Sequence, residues 1–427
     1  MDLVILAAGY GRGLEPITHT RNKSLVPILG EPLLIKHLKA IGSLGSVENV
    51  VIVVNYLHEQ VVDAISKVKS ALDYNIIIKN QEEPLGTGHA LSTAVSGVSS
   101  NEFIVIYGDV FFDYSDLKKL AELKGNVVCG YRVPDPSRYG VLVLDGNTLR
   151  KIFEKPSNPP TNLINAGIYK FRKSIIKYLS ELKPSPRGEY ELTDAINDAC
   201  SKETFRVYEL NYWADMGRPW KVLEVHKYLL SKLRKSEIKG EIESNVVVRG
   251  TVFIGEDAEV ASGTYIRGPV WVGRRAVIGP NAYIRPYTVV LDNAKIGFNV
   301  EVKESIIMEG VHVSHQAYVG DSIICEHSNL GAGTILANLK FDESEVKVFI
   351  KGERESSGRR KLGAIIGAYV KTGVNVSVFP GVKIGACSWI YPGVTVRYDV
   401  PPCTIVKSED YLEELKKYCR VDLSVWR

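Results

Sequence analysis

A glycine-rich segment near the start of the chain has the composition of a phosphate-binding turn. Residues 6–16 read Leu-Ala-Ala-Gly-Tyr-Gly-Arg-Gly-Leu-Glu-Pro and follow an apolar run that predicts a strand. Because glycines let backbone N–H groups approach an anion closely, this turn suits a phosphorylated ligand. A dinucleotide-binding fingerprint fits less well, since Leu14 stands where its third glycine belongs and Pro16 breaks the helix that should follow.

The second half of the chain carries a six-residue repeat. Aliphatic residues or Met recur at strict six-residue intervals: Ile242, Val248, Ile254, Val260, Ile266, Val272, Ile278, Ile284, Val290, Ile296, Val302 and Met308. This period indicates a hexapeptide β-helix, in which each flat face buries one aliphatic side chain. An amphipathic helix would repeat near 3.6 residues and an antiparallel strand at two.

The repeat is interrupted twice. Its register slips after Met308, where Val313 and Val319 stand one residue early, and a charged segment, 342–361, precedes its return at Ile366. An insertion into a solenoid must leave the packed coil, and long loops often carry function. The charged segment is therefore either a functional loop or a solvated surface loop.

Short apolar runs alternate with amphipathic stretches over the first half, as in βα units around a mainly parallel sheet. The predicted strands are 3–6, 50–54, 75–78, 103–107, 127–131 and 140–144. We expect an α/β Rossmann-like domain over 1–219, with its site at the carboxyl edge of the sheet. A connecting helix, 220–240, would lead to a left-handed parallel β-helix over 241–406 that contains the insertion 342–361. A C-terminal helical tail, 407–427, would cap the coil.

The composition argues against several classes of protein. The chain has 427 residues, of which 24% are charged, and a formal net charge of +4. That balance disfavours a nucleic-acid or membrane-surface binder, and no apolar run approaches the roughly 18 residues of a membrane span. The start lacks a basic leader, and the six cysteines show no CxxC or zinc spacing. We therefore expect reduced thiols in a cytoplasmic protein.

The glycine-rich turn belongs to a longer pattern. The segments that form it are 6–18, 23–27, 81–90, 107–109, 139–140, 154–156, 165–167 and 213–217. Together they resemble the sugar-1-phosphate nucleotidylyltransferases over nearly the whole first half. The resemblance implies that a sugar-1-phosphate attacks the α-phosphorus of a nucleoside triphosphate and that pyrophosphate leaves.

The same resemblance implies roles for individual side chains. Arg12 and Lys23 are the catalytic cations, and Asp109 and Asp215 hold Mg²⁺. The nucleotide-binding residues are Leu6, Ala8, Gly9, Gly11, Gln81, Leu85, Gly86 and Thr87. The sugar-binding residues are Tyr139, Gly140, Glu154, Lys155 and Asn165. Such a set positions two mutually repelling anions and offsets the charge that develops between them.

One position departs from the family pattern. The family's catalytic arginine directly precedes a leucine, but here Gly13 occupies that place and Arg12 stands one residue earlier. A one-residue shift on a tight loop re-aims the guanidinium group, whereas the conformational freedom of Gly13 would let Arg12 reach the same point. The sequence leaves both alternatives open.

Two segments of the second half, 310–322 and 329–340, carry residues suited to acyl transfer. They resemble the acetyltransferase half of the bifunctional enzymes that make UDP-N-acetylglucosamine, particularly the archaeal type. By this resemblance His315 is the base that takes the amine proton, a task that suits an imidazole. The substrate-binding residues are Arg285, Lys303, Tyr318, Asn329, Asn338 and Lys340, and the backbone at Ala332 holds acetyl-CoA. We expect His312 and His327 to be structural.

These features together predict a bifunctional cytoplasmic enzyme. Its second half would acetylate glucosamine-1-phosphate with acetyl-CoA, and its first half would transfer uridylyl from UTP to N-acetylglucosamine-1-phosphate with Mg²⁺. The expected partners are small sugar phosphates and nucleotides, not nucleic acid or membrane, and the resemblance implies a homotrimer through the β-helix. Two alternatives remain: a nucleotidylyltransferase for another sugar with a purely structural β-helix, and a non-catalytic regulatory subunit that binds sugar nucleotides.

Overall fold

The computed structural model of the protein describes residues 1–408, 411–414 and 419–422. The chain divides into two compact units. The N-terminal unit comprises Met1–Tyr10, Asn22–Val26 and Glu31–Met216, and the C-terminal unit comprises Gly11–Arg21, Pro27–Gly30 and Gly217–Arg427. The glycine-rich segment is therefore divided between the two units after Tyr10.

A nine-stranded mixed sheet forms the centre of the N-terminal unit. In spatial order its strands are Asn75–Asn80, Asn49–Val54, Asp2–Ala7, Glu102–Tyr107, Leu163–Arg172, Asn126–Arg132, Phe205–Glu209, Thr148–Glu154 and Gly140–Asp145. All six predicted strands are present, so those predictions are confirmed.

The expectation of a mainly parallel sheet is wrong for the second half of this sheet. The first four strands run parallel, but Leu163–Arg172 is antiparallel to both of its neighbours. The last two strands, Thr148–Glu154 and Gly140–Asp145, form a hairpin across residues 146–147. A connection this short joins only antiparallel strands, because a parallel pair needs a long crossover.

Both faces of the sheet are buried. Along Asp2–Ala7, Leu3 and Ile5 belong to one hydrophobic cluster, and Val4 and Leu6 belong to another. This alternation is the period of two that a strand imposes on its side chains. Two further strands, Val110–Phe112 and Trp213–Asp215, form a small antiparallel pair in the same unit.

Helices and short 3₁₀ turns complete the architecture. The α-helices are Leu33–Gly42, His58–Ser66, Thr87–Ala94, Ser115–Glu122, Ile175–Ser180, Leu192–Cys200 and Pro219–Ser231. The 3₁₀ turns are Arg12–Leu14, Ile17–His19, Lys23–Leu25, Lys69–Ala71 and Val95–Gly97, and two short strands are Pro27–Ile28 and Glu31–Pro32. The last helix begins at Pro219, whose missing N–H costs nothing in a first turn. Among the described residues, no helix has both the length and the hydropathy needed to cross a bilayer.

A left-handed parallel β-helix with three faces makes up most of the C-terminal unit, as the six-residue repeat predicts. Face 1 contains Glu237–Ile238, Val252–Ile254, Val270–Val272, Thr288–Val290, Ile306–Ile307, Ile323–Ile324, Ile365–Ile366 and Lys383–Ile384. Face 2 contains Glu241–Ile242, Glu259–Val260, Val277–Ile278, Lys295–Phe298, His312–His315, Asn329–Leu330, Lys371–Thr372, Trp389–Ile390, Thr404–Ser408 and Tyr411–Glu414. Face 3 contains Val247–Arg249, Tyr265–Arg267, Tyr283–Ile284, Glu301–Lys303, Tyr318–Gly320, Ile335–Leu336, Ser377–Val378 and Thr395–Val396.

The register slip corresponds to a shortened coil, but it falls one step earlier than predicted, because Ile307 and not Met308 takes the interior position. Val272 pairs with Val290, eighteen residues later, whereas Val290 pairs with Ile307, seventeen residues later. The aliphatic side chains still stack in one interior cluster, which extends from Val252 to Val406. A coil can therefore lose one residue at a corner without moving an aliphatic side chain out of the core.

The charged segment leaves the coil between face 3 and face 1. Within it, Lys347–Ile350 and Glu353–Ser356 form an antiparallel hairpin. Val346, Val348 and Ile350 are almost fully buried. The segment therefore has its own packed structure and is not simply a solvated loop.

The end of the chain differs from two expectations. Tyr411–Glu414 is a strand that runs antiparallel to Thr404–Ser408, so the predicted helix is wrong for these residues. Residues 409–410, 415–418 and 423–427 of the predicted tail lie outside the described residues. Cys403 and Cys419 form a disulfide with a Cα–Cα distance of 5.2 Å, so the expectation of reduced thiols is wrong for this pair. The spacing rules missed it because the turn back of the chain brings together cysteines that lie 16 residues apart.

We predict that Ile296→Ala will destabilise the β-helix by about 2–5 kcal/mol, because it removes a fully buried side chain and leaves a cavity. The matched control is Lys295→Ala, an exposed position on the same strand, which should change stability by less than about 0.5 kcal/mol. The measurement is the free energy of unfolding in urea. Equal losses for both variants would contradict the assigned interior of the coil.

Candidate active sites

A lysine and two aspartates meet at the carboxyl end of the central strands of the N-terminal unit. Asp109 follows the strand Glu102–Tyr107, and the Lys23 ammonium group donates a hydrogen bond to Asp109 Oδ2. Asp215 lies opposite Val110 in the small antiparallel pair, and Met216 N donates to Asp109 O at 2.9 Å. The fold therefore brings together Lys23, Asp109 and Asp215.

Carboxylate oxygens are the ligands that Mg²⁺ prefers, and nucleotide sites hold it through one or two carboxylates plus substrate phosphates. Asp109 and Asp215 supply such a pair. Within the part of the chain that the structure describes, no group of three or more His, Cys, Asp or Glu side chains is arranged to hold a metal ion. The donor set thus fits a metal that takes its remaining ligands from a phosphorylated substrate.

The segment that contains Gln81, Leu85, Gly86 and Thr87 is fastened to residues 190–192. Tyr190 N donates to Leu85 O at 2.7 Å, and Leu192 N donates to Thr87 Oγ1 at 3.1 Å. Gly86 has a φ of +111°, and a Cβ there would lie 2.7 Å from Tyr190 O, so only glycine suits this place. Buried Gln81 contacts His89 Nδ1 at 2.9 Å. These contacts tie the turn to the neighbouring chain segment.

The predicted sugar-binding residues form a second group in the same unit. Gly140 and Glu154 face each other across the hairpin, and Lys155 N donates to Tyr139 O at 3.0 Å. Asn165 Nδ2 donates to the hydroxyl group of Tyr169 at 2.7 Å. The five predicted residues, Tyr139, Gly140, Glu154, Lys155 and Asn165, therefore lie on or next to neighbouring strands of the sheet.

Two residues of this group were not predicted. Arg187 contacts Glu154 at 3.3 Å and Glu191 at 2.6 Å. Burial raises the pKa of Glu191, and the charge of Arg187 partly offsets that rise. Residues 187–191 are not helical, so their spacing was no signal for the pairing with Glu191, and the contact with Glu154 depends on the tertiary fold.

Leu6, Ala8 and Gly9 stay with the N-terminal unit, whereas Gly11 and Arg12 belong to the C-terminal unit. In that unit Gly13 has no room for a side chain, because a Cβ would lie 2.5 Å from Gly217 O and against the Arg218 guanidinium group. Arg218 is itself held by Glu355 through two hydrogen bonds of 2.7 and 2.8 Å. An arginine at position 13 would therefore not fit, and the arginine of this turn is Arg12.

A polar cluster lies at the end of face 3 of the β-helix. Lys303 Nζ donates to both carboxylate oxygens of Asp321, at 2.8 and 2.7 Å. Asn338 Nδ2 donates to Asp321 and to the hydroxyl group of Tyr318, the latter at 3.2 Å. Burial, with the nearby Asp321 charge, raises the pKa of Tyr318. Asp321 directly follows the strand Tyr318–Gly320 and was not among the predicted site residues.

Arg285 lies beside this cluster and donates to Glu301 at 2.8 Å. Lys340 is at the base of the insertion, where it contacts Ser344 and Asp342. Its assignment to substrate binding stays a prediction.

His315 and Asn329 stand on face 2. His315 is exposed at the end of its strand, opposite Phe298, and its carbonyl accepts from Gly333 N at 3.2 Å, next to Ala332. Asn329 pairs with His312 in the neighbouring coil. Asn329 also borders a surface cavity of about 500 Å³. The residues that line this cavity are Asn293, Glu309, Gly310, His312, His327, Ser328 and Asn329. The predicted residues therefore occupy two faces of several successive coils.

Comparison with known proteins agrees with this architecture. The family model described as Nucleotidyl transferase matches residues 3–232, and the GMPPB C-terminal domain model matches residues 266–378. A bifunctional sugar-1-phosphate nucleotidylyltransferase/acetyltransferase of Sulfurisphaera tokodaii is 48% identical over 403 residues, covering 94% of this chain and 98% of the relative. The bifunctional protein GlmU of Methanocaldococcus jannaschii is 45% identical over 414 residues, covering 96% of this chain and 98% of the relative.

Fold, site and relatives define a nucleotidyl transferase joined to a hexapeptide β-helix. The likeness to the two bifunctional relatives runs through both units and not through the first alone. The chain belongs to the family of bifunctional sugar-1-phosphate nucleotidylyltransferase/acetyltransferases.

We predict that Gly13→Ala will lower the free energy of unfolding by about 1–3 kcal/mol, because the added methyl group meets a backbone carbonyl that has little freedom to move. Gly9→Ala is the matched control in the same segment, since no described atom lies within 4 Å of the Cβ it would add. Urea denaturation of both variants measures the difference. The assigned packing of Gly13 is refuted if the two variants have the same midpoint.

Proposed function

We propose that the protein makes UDP-N-acetylglucosamine in two reactions, one in each unit. The observation that carries this proposal is the separation of the site residues into two clusters, Lys23–Asp109–Asp215 in the N-terminal unit and Lys303–Asp321–Asn338 in the C-terminal unit. Each cluster offers cations or metal ligands for a phosphorylated substrate. The names of the relatives, which state both transferase activities, support the same assignment.

In the C-terminal unit, glucosamine-1-phosphate and acetyl-CoA would give N-acetylglucosamine-1-phosphate and free CoA. The amine forms a new C–N bond at the thioester carbonyl, and the C–S bond breaks. His315 takes the amine proton, and Arg285 and Lys303 hold the phosphate group. The backbone beside Ala332 positions the thioester, and Asn329 and Asn338 orient the sugar.

In the N-terminal unit, the phosphate oxygen of that product attacks the α-phosphorus of UTP and pyrophosphate leaves. Gln81 and the turn at Gly86 receive the base, and Glu154 and Asn165 receive the sugar. Lys23 stays beside Asp109 and faces the phosphates as a fixed cation. Asp109 and Asp215 would hold Mg²⁺, which when bound neutralises phosphate charge.

A homotrimer assembled through the β-helix completes the proposal. Asn329 stands on face 2, whereas Lys303 and Tyr318 stand on face 3. Adjacent copies that place face 2 against face 3 would gather these side chains around one acceptor. UTP and acetyl-CoA are substrates of cytoplasmic metabolism, so we place the enzyme in the cytoplasm.

We predict that His315→Ala will lower CoA release by about 10²–10⁴-fold, the usual contribution of a general base, while pyrophosphate release continues at the wild-type rate. Asp109→Asn is the reciprocal variant and should abolish pyrophosphate release while CoA release continues. The measurement follows free thiol and pyrophosphate separately, with N-acetylglucosamine-1-phosphate supplied for the second reaction. Equal loss of both activities in either variant would contradict the two-site assignment.

A further inference from the structure

The Lys303 cluster extends into the charged insertion through Arg359. Arg359 Nη2 donates to Glu304 Oε1 at 2.6 Å and to Asp321 Oδ1 at 3.3 Å. The arginine side chain is only 14% exposed, and that of Asp321 is 1% exposed. Arg359 therefore lies inside the cluster, although its sequence neighbourhood reads as a solvated charge run.

The backbone of the insertion holds Arg359 in this place. Val346 N donates to Arg359 O at 2.9 Å, and Arg359 Nε donates to Lys361 O at 3.1 Å. Ser357, two residues earlier, is buried and donates to Val346 O at 2.7 Å. The position of the guanidinium group is thus fixed by the backbone of the insertion and does not depend on the ion pairs alone.

A second cation, Lys227, reaches the cluster from the helix Pro219–Ser231. Its ammonium group contacts Glu304 Oε1 at 3.1 Å. Burial raises the pKa of Glu304, but the Arg359 and Lys227 charges outweigh burial, so the pKa of Glu304 lies below its ordinary value. Glu304 is accordingly a carboxylate whose charge these two cations neutralise.

The charges decide whether this cluster attracts or repels an anion. Three cations, Lys227, Lys303 and Arg359, face two carboxylates, Glu304 and Asp321, so the net charge is +1. Without Arg359 the net charge would be zero. Lys303, the side chain assigned to the acceptor's phosphate group, would then be balanced by the carboxylates around it, and its attraction for an anion would weaken.

We propose that Asp321 and Arg359 are positioning residues for the phosphate group of the acetyl acceptor. Asp321 fixes the direction of the Lys303 ammonium group and of the Asn338 amide, and Arg359 keeps the cluster cationic by offsetting one carboxylate. The proposal rests on acetyl transfer to a sugar phosphate in this unit. It gives the charged insertion a specific role, which is selection of a phosphorylated acceptor.

The test compares Arg359→Gln with Arg360→Gln. Arg360 is 60% exposed and pairs with Glu343 at the surface, so it controls for the loss of a charge from the same segment. In Arg359→Gln we expect KM for glucosamine-1-phosphate to rise about tenfold, with kcat and KM for acetyl-CoA nearly unchanged, because only phosphate attraction is lost. Arg360→Gln should match the wild type.

A charge-compensation variant separates positioning from folding. Adding Glu304→Gln to Arg359→Gln returns the net charge to +1 and should restore KM for the sugar phosphate. Glu304→Gln alone raises the net charge and should lower that KM, a result that needs no folded Arg359→Gln protein. Glucosamine, which lacks the phosphate group, should be acetylated with the same kcat/KM by Arg359→Gln and the wild type.

Three results would overturn the inference. They are a wild-type KM in Arg359→Gln, an equal loss of kcat/KM with glucosamine and glucosamine-1-phosphate, and an unchanged or raised KM in Glu304→Gln. If the wild-type protein itself fails to acetylate glucosamine-1-phosphate, the proposed function fails and this inference fails with it. An active wild type with an unaffected Arg359→Gln variant refutes the inference alone.

Discussion

Each unit contains a lysine held by an aspartate, an arrangement that fixes the direction of a cation before any phosphorylated substrate arrives. Lys23 is paired with Asp109 in the N-terminal unit, and Lys303 is paired with Asp321 in the C-terminal unit. A free lysine side chain would lose rotamer entropy each time it bound a phosphate group. The aspartate fixes that side chain in advance, and neighbouring cations or a bound metal must then keep the site attractive to anions.

The two scaffolds hold these pairs in different ways. The N-terminal unit places Asp109 just beyond the carboxyl end of a parallel strand, where polar residues of such sheets gather, and Asp215 at the end of the small antiparallel pair. The β-helix instead fixes side chains by register, because each coil stacks on the one before it through close-packed aliphatic residues. Its shortened coils leave this interior intact, and the insertion adds Arg359 from outside the repeat.

Much of the fold follows from local pattern, since the six-residue repeat identified the interior of the coil and the apolar runs located the strands of the sheet. Three features depended on contacts between distant parts of the chain and escaped the sequence analysis. They are the antiparallel half of the sheet, the strand at Tyr411–Glu414 and the disulfide of Cys403 with Cys419. The tail was predicted to be helical, but Tyr411–Glu414 pairs with the preceding strand Thr404–Ser408 instead.

The candidate sites likewise contain residues that local motifs indicate and residues that only contacts between distant parts of the chain bring in. Local motifs singled out Lys23, Asp109, Lys303 and Asn338 as candidates. Arg187 and Asp321 were not assigned roles, because their contacts with Glu154 and Lys303 join residues that are distant in the sequence. The charged insertion could not be interpreted by composition alone. Its two adjacent arginines look equivalent in sequence, but Arg359 is enclosed and Arg360 lies at the surface.

The measurement that tests the two-site assignment most directly supplies the wild-type protein with hexosamine-1-phosphates, acetyl-CoA, UTP and Mg²⁺, and follows free thiol and pyrophosphate separately. We predict thiol release with glucosamine-1-phosphate and acetyl-CoA, and pyrophosphate release once the acetylated product and UTP are both present. Pyrophosphate release without thiol release from any hexosamine-1-phosphate would contradict the assignment, because the β-helix would then be only a scaffold.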